Sequence, residues 1–325
     1  MEIAITGATG FIGSALIPIL LEQGHSLRLL TRRPITEAPP GVTWVQGDLE
    51  NAASLAALTR GVSVVIHLAA VISVSDKPDP RVHHLNTAGT EAILTAAREA
   101  GVRRFIHLSS ITAFNQHPYD EPMDESRPPS TSVTPGYDYS KTLSQACALA
   151  FDSPEMDVIV LAPTAVIGPH DHAPSLIGKA VINLYKGKIP ALFPGGVDFV
   201  DVRDLGMAIV QAIRQGAKGQ VYIISGHWKS LAELAYSIGK LRGRPVRLPV
   251  APLWLVFGML PLVNAWSRIT GGPPYYTRQS VYNLIYSNRK ISHAKAARDL
   301  GFRPRSFETT LQDTINWFKE TGAIL

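Results

Sequence analysis

The sequence predicts an α/β fold, a doubly wound parallel sheet with a smaller, mainly helical C-terminal part. Three observations point there. Short apolar runs alternate with helix-length segments through the first half of the chain. The run Val62–Leu68 is almost continuously apolar and β-branched, as a strand buried on both faces must be. A glycine-rich turn joins the first strand to the first helix. Repeated β-α-β units of this length require parallel strands with right-handed crossovers.

The elements follow in order. Ile3–Thr6 reads as the first strand and Phe11–Leu21 as the helix after it, stopped at Gly24, a residue that tolerates positive φ. Pro18 inside that helix removes a hydrogen bond and should kink it. Leu27–Leu30 and Val42–Gln46 are the next strands, and Val62–Leu68 follows. Asn86–Ala100 reads as a helix that Asn86 opens, chiefly as a cap, with Gly101 as its stop; a supporting site role for Asn86 stays open. Arg104–Leu108 and Asp157–Ala162 are further strands. After about Gly168 prolines and glycines cluster and strands become sparse, and from about Ser230 the chain reads as mainly helical. The chain is expected to return to the main sheet near Phe199 and Tyr222.

Composition narrows the classes. The chain has 325 residues, enough for about two domains at ~150 residues each. Apolar residues make up 46% and charged residues 18%, which fits a globular core and excludes a disordered chain or a fibrous rod. The net charge of +5 comes from basic residues that are scattered and not blocked, so no nucleic-acid partner is expected. Cys147 is the single cysteine and cannot form an internal disulfide. With no basic-then-apolar leader before the first strand, a cytoplasmic location is the expectation. The most apolar segment, Val250–Trp266, is shorter than the ~20 residues of a spanning helix and carries Pro252 and Pro261. It is expected to be core, lid, subunit contact or membrane-touching surface, not a transmembrane span. Trp254, Phe257 and Trp266 within it are expected in the core. Whether the chain forms a homodimer is left open.

The chemistry-bearing signals begin at Thr6-Gly7-Ala8-Thr9-Gly10-Phe11-Ile12-Gly13. This turn follows a strand and opens a helix, the context in which glycines let the backbone approach a pyrophosphate at a helix N-terminus. Residues 1–168 are therefore predicted to be an NAD(P)-binding Rossmann-type domain, completed by segments near 197–225, with 169–325 mainly a substrate-binding part. After the second strand stand Thr31-Arg32-Arg33-Pro34, with no acid until Glu37. A guanidinium matches a 2′-phosphate, whereas an acidic residue there would hold ribose hydroxyls, so NADP(H) is the expected cofactor and NAD(H) the alternative. Asp48, after the third strand, could meet the adenine amino group.

Tyr137 and Lys141 lie four residues apart, on one face of a helix. An ammonium one turn away is expected to lower the phenol's pKa from its usual value near 10. Tyr139 has no such partner, since Leu143 follows it at that spacing. Ser109 and Ser110, at the end of a strand, offer hydroxyls for a substrate oxygen. His170 and His172 lack a third ligand cluster, so no metal site is expected. Cys147 reads as a small buried residue, and Asp201 and Asp204 as turn or capping groups.

Together these motifs resemble the extended short-chain dehydrogenase/reductases of the NAD(P)-dependent epimerase/dehydratase superfamily. The resemblance rests on Thr6–Gly13, Gly47–Leu49, His67–Ala70, Asn86–Thr90, Leu108–Ser110, Tyr137–Lys141 and Pro163–Pro169, in order over residues 1–170, with Phe199–Gly206 extending it. It is greatest to dihydroflavonol-4-reductase-like and 3β-hydroxysteroid-dehydrogenase-like members. The resemblance implies Ser110 as catalytic hydroxyl, Tyr137 as acid/base and Lys141 as its tuner. It implies cofactor contacts from Gly7, Thr9, Gly10, Phe11, Ile12, Gly13, Arg32, Asp48, Leu49, Leu68, Ala69, Ala70 and Lys141. Pro163, Thr164, Ala165 and Val166 would border the nicotinamide. Ala162 and Ala165 replace an Arg and an Asn of the nucleotide-sugar epimerases, and Phe114 stands where those often have Tyr. The expected function is NADP(H)-dependent interconversion of a carbonyl and a secondary alcohol on an apolar or aromatic small molecule. The alternatives are a nucleotide-sugar epimerase or dehydratase with tightly bound NAD, and a non-enzymatic nucleotide-binding sensor or assembly factor.

Overall fold

The computed structural model describes residues 1–35, 37–72, 79–130, 137–244, 247–269 and 277–324, leaving aside the side chains of 262–269. The first half lays down β1 (Glu2–Thr6), α1 (Phe11–Glu22), β2 (Ser26–Thr31), β3 (Val42–Gln46), α2 (Ala52–Thr59), β4 (Val64–His67), α3 (Pro80–Glu99) and β5 (Arg104–Leu108). A single 3-10 turn, Ile111–Ala113, precedes α4 (Tyr137–Ala150), β6 (Asp157–Pro163) and β7 (Ala165–Ile167). Then come α5 (Leu176–Tyr185), β8 (Gly196–Asp201), α6 (Val202–Gln215), β9 (Gln220–Ile224), β10 (His227–Ser230) and α7 (Leu231–Leu241). The chain ends through α8 (Leu253–Ile269), α9 (Arg278–Ile285), α10 (Ala294–Leu300) and α11 (Phe307–Glu320).

A seven-stranded sheet in the order β3-β2-β1-β4-β5-β6-β9 forms the centre, and each of its pairings is parallel. Its strands alternate between two apolar layers. Val64 and Ile66 of β4 face Leu16 and Leu20 of α1 and Leu205 and Ile209 of α6. Val65 faces Leu55 and Leu58 of α2 and Ile93 and Leu94 of α3. Both faces are thus covered, which is why β4 reads as an unbroken apolar run.

Several sequence expectations change. Tyr222 does lie in the main sheet, on β9, but Phe199 does not. It sits on β8 at the centre of a second, three-stranded sheet ordered β10-β8-β7. The segment near 197–225 therefore divides between two sheets, and strands β8 and β10 occupy the stretch expected to be poor in strands. Their short polar and glycine-interrupted sequences carry no strong period-two signal. Phe199 instead joins Val181, Leu234, Leu311, Ile315 and Phe318 in a separate core among α5, α7 and α11. The third helix starts at Pro80, capped by the Asp79 carboxylate, so Asn86 lies inside it and is not its cap. Helix α1 continues through Pro18 without interruption. Asp201 caps α6 through the Arg203 N–H, and Asp204 binds the Arg305 N–H and guanidinium, tying the approach to α11 onto α6.

Trp254, expected in the core, is 75% exposed. Helix α8 buries Leu260, with Val256 and Phe257 packed alongside, against Phe193 and Val281. The side chain of Trp266, like those of Leu262 and Val263, lies outside the described residues.

Two glycines fix the first turn. Gly7 has φ +75°, and an added Cβ would fall 2.6 Å from the Ala69 nitrogen. A Cβ on Gly13 would fall 2.5 Å from the carbonyl oxygens of both Gly7 and Ala8. Backbone atoms leave no flexible end to move aside, so Gly13→Ala is expected to lower stability by about 1–3 kcal/mol. Urea unfolding checks this, and an unchanged midpoint would contradict the packing described.

Candidate active site

Parallel pairing brings four strand ends to one edge of the main sheet. Thr6 is level with His67, His67 with His107, and Leu108 with Leu161. The strand order reverses between β1 and β4, and a crevice beyond the carboxyl ends of strands at such a point is where open α/β sheets take ligands. The glycine turn opens into α1 here, with Gly10 at its N-cap and no side chain closing the free N–H groups. Thr9 is exposed, and Phe11 and Ile12 are half-buried. The close passage of Gly7 over Leu68 and Ala69 leaves backbone as the wall of the crevice, which suits a dinucleotide pyrophosphate.

Arg32 follows β2, exposed, and its guanidinium has no protein partner among the described residues. Asp48 accepts from the Glu50 N–H at 3.0 Å, and Leu49 packs so tightly against α3 that a Cβ on Gly89 would fall 2.9 Å from it. Ala70 is exposed at the crevice mouth. Pro163 is buried, Ala165 and Val166 are half-buried, and the Thr164 hydroxyl donates inward to the Asp198 carboxylate at 2.7 Å. Asp198 also accepts from the Gly226 N–H, and burial pushes its carboxyl up to about 6.

Ser110, Tyr137 and Lys141 come together at the end of β5. The two neighbouring serines separate by their partners. Ser109 donates to Gln145 at 2.7 Å, whereas Ser110 hydrogen-bonds the Tyr137 phenol. Ser110 also accepts from the Thr112 hydroxyl at 3.1 Å. Lys141 is 4% exposed, and its ammonium donates to the Leu108 carbonyl at 2.8 Å.

The expected tuning of the phenol by Lys141 is not what the electrostatics show. Burial pushes Tyr137 up to about 12, opposed by the Ser110 hydroxyl and reinforced by Asp138. The lysine nitrogen lies 6.0 Å from the tyrosine ring centroid and is engaged with a main-chain carbonyl. Desolvation brings Lys141 itself down to about 8. At neutral pH the phenol therefore holds its proton and the lysine carries its charge.

Sequence reasoning missed the polar chain behind this group. Thr90 donates to the Asn86 carbonyl at 2.7 Å, so its oxygen must accept from His67 Nε2–H at 3.0 Å. His67 Nδ1 is then the acceptor for the Thr6 hydroxyl at 2.7 Å. The Asn86 side chain in turn pairs with both main-chain groups of Val71 and donates to Ser140 at 3.0 Å, and Ser140 donates to the Tyr137 carbonyl. Asp138, whose carboxyl burial pushes up against the lowering effect of the Thr112 and Asn283 side chains, was likewise unmarked by any motif. His67 and Asn86 lie within quoted motifs, but only their three-dimensional pairing reveals the connection.

Other singled-out residues lie elsewhere. His170 and His172 flank the Trp317 ring at 4.9 and 5.0 Å, and Asp171 accepts from the Ser175 N–H. Tyr139 stacks on His83, and burial pushes the Cys147 thiol up, which does not suit a nucleophile.

A family model for the NAD dependent epimerase/dehydratase family matches residues 3–225. The chain belongs to that family. It is an NAD(P)-dependent enzyme of the extended short-chain dehydrogenase/reductase type. Among its relatives, sterol demethylase protein B of Methylococcus capsulatus is 29% identical, with the whole of both chains covered. A putative dihydroflavonol 4-reductase of Synechocystis is also 29% identical, over 98% of this chain and 95% of the relative. The solved structure of gox2253 superposes with a TM-score of 0.84 at 29% identity, covering 100% of this chain and 99% of the other.

Replacing Asn86 by Leu would strand the Val71 N–H and carbonyl and remove the donor to the Ser140 hydroxyl. The expected loss is about 2–4 kcal/mol of stability by urea unfolding. A loss below 0.5 kcal/mol, roughly that of an ordinary surface change, would remove Asn86 from this structural role.

Proposed function

We propose that this enzyme is an NADP(H)-dependent oxidoreductase that interconverts a carbonyl and a secondary alcohol on an apolar or aromatic small molecule. The convergence of Ser110, Tyr137 and Lys141 beside the glycine turn carries the reading. When bound, the nicotinamide supplies or accepts the hydride. Gly7, Gly10 and Gly13 shape the turn whose N–H groups at the start of α1 would hold the pyrophosphate, and Arg32 would meet the 2′-phosphate. Ser110 orients the substrate oxygen. Tyr137 holds the proton that this oxygen gains or loses, and its high pKa keeps the proton in place until a stronger acceptor develops. Lys141 supplies a positive charge beneath the phenol and an N–H for a ribose hydroxyl.

The apolar substrate class is supported from two sides. Ala162, where nucleotide-sugar epimerases carry an arginine, is fully buried in an apolar cluster with Ala113, Phe114, Met123 and Ile223. A guanidinium there would be desolvated without a partner. The two relatives named above are called for a sterol and a dihydroflavonol. Helix α8 supports it less than the sequence suggests, because Val256, Phe257 and Leu260 pack on Phe193 and Val281 while Trp254, Leu255 and Met259 are exposed.

Two outcomes follow. Isothermal calorimetry is expected to show tighter binding of NADPH than of NADH, with Arg32→Ala narrowing the gap by about 1.5–3 kcal/mol; equal affinities in the unaltered enzyme would overturn the NADP assignment. Tyr137→Phe is expected to lower turnover of a hydrophobic ketone by ~10²–10⁴ while NADPH binding survives. Turnover that persists in this variant would remove the phenol from the reaction.

A further inference from the structure

Helix α8 is apolar on every side over its described residues, yet only one face is covered. Leu253, Val256, Phe257 and Leu260 turn inward at helical spacing, and Leu260 is 5% exposed. On the other face Trp254 is 75% exposed, Met259 45% and Leu255 39%, and Val250 just before the helix is 50% exposed. A helix without a polar face is ordinarily buried all round. Exposed tryptophan, leucine and methionine in one contiguous strip mark an interaction surface, not ordinary scatter.

The charge around it states what the partner is. The basic residues of the whole chain are scattered, but the acids are not. Arg298 is paired with Asp299, but from Leu234 to Lys295 there are nine Lys and Arg and no Asp or Glu, so this stretch carries +9 while the whole chain carries +5. The segment between α7 and α8 bears exposed Arg242, Arg244 and Arg247. Lys186 and Lys188 are exposed on the neighbouring turn, where Arg242 also packs over the Tyr185 ring. Leu192 pairs with Val250, which holds this basic turn beside the start of the apolar strip. The nearest acid in sequence before this stretch is Glu233, at the far end of α7 and turned back onto Ser230 as its cap.

We propose that this face docks the enzyme on the surface of an anionic phospholipid bilayer, with α8 lying in the interface plane. Trp254, Leu255 and Met259 enter the acyl boundary, where tryptophan is favoured. Arg242, Arg244 and Arg247, with Lys186 and Lys188, meet the lipid phosphates. Among the described residues no helix is long and apolar enough to cross the membrane. The Trp254 indole N–H is the one hydrogen-bonding group among the exposed side chains of Trp254, Leu255 and Met259, and a tryptophan at a bilayer interface places that group among the headgroups. A protein partner would ask for more polar groups within the strip. The proposal is independent of which molecule the active site reduces.

The test is cosedimentation of the full chain with phosphatidylcholine vesicles, with and without phosphatidylglycerol. Binding is expected to anionic vesicles and to be lost in high salt. Arg242→Gln/Arg244→Gln/Arg247→Gln is expected to weaken it about a hundredfold, and Trp254→Ser/Met259→Ser about tenfold. Both variants alter exposed side chains, and an unchanged unfolding midpoint confirms that they fold. Failure to pellet with anionic vesicles, equal binding to neutral ones, or binding that neither variant weakens would overturn the proposal. So would a dimer in size-exclusion chromatography that Trp254→Ser/Met259→Ser dissolves, which would assign the strip to a second copy.

Discussion

The neutral His67 ring is the joint on which the rest of the site depends. It sits at the end of β4, fully enclosed, and links the residue before the glycine turn to α3 by two short hydrogen bonds. Its tautomer is dictated by Thr90, whose own proton is committed to the Asn86 carbonyl. A charged ring could not accept from Thr6, and burial together with the Lys141 charge drives the pKa of His67 down to about 3. From Asn86 the same chain passes through Ser140 to the first turn of α4. The glycine turn and the helix that carries Tyr137 are thereby held to one framework.

Backbone contact reinforces what the polar chain begins. Gly7 lies so close to Leu68 and Ala69 that no side chain fits between them. Each such contact places a main-chain edge, not a mobile side chain, at the crevice wall. On the opposite side Thr164, Gly226 and Asp198 lock β6, β8 and the turn after β9 together. Between these two fixed walls stand a phenol that keeps its proton and a lysine that keeps its charge at neutral pH. That combination of a poised acid and an unscreened cation costs desolvation energy, which the surrounding hydrogen bonds offset.

Much of this was legible in the sequence, for identifiable reasons. The parallel sheet announced itself because strands buried on both faces leave continuous apolar runs, and the glycine turn because its spacing and context are tightly constrained. Ser110, Tyr137 and Lys141 were found by motif order, and the structure brings them together. The second sheet was not legible: β7 is three residues long, β10 is half-exposed, and neither has a periodic signature. Asn86 was misplaced as a cap because a helix start reads from local residue types, while its real partners lie at Val71 and Ser140. The pKa of Tyr137 could not be read from the spacing of Tyr and Lys, since burial outweighs a charge that lies 6.0 Å from the ring. The outward turn of Trp254 was missed because an apolar stretch gives no sign of which face the fold leaves uncovered.

The central claim is that His67 is neutral, protonated on Nε2, and stays so wherever the protein is folded. Nitrogen-15 NMR of histidine-labelled protein reads both points directly, with His67→Gln identifying the resonances. The account predicts an Nε2–H tautomer whose shifts do not move from pH 8 down to about pH 4, in keeping with a pKa of about 3. A His67 ring that titrates near the ordinary value of 6.5, or that carries its proton on Nδ1, would contradict it.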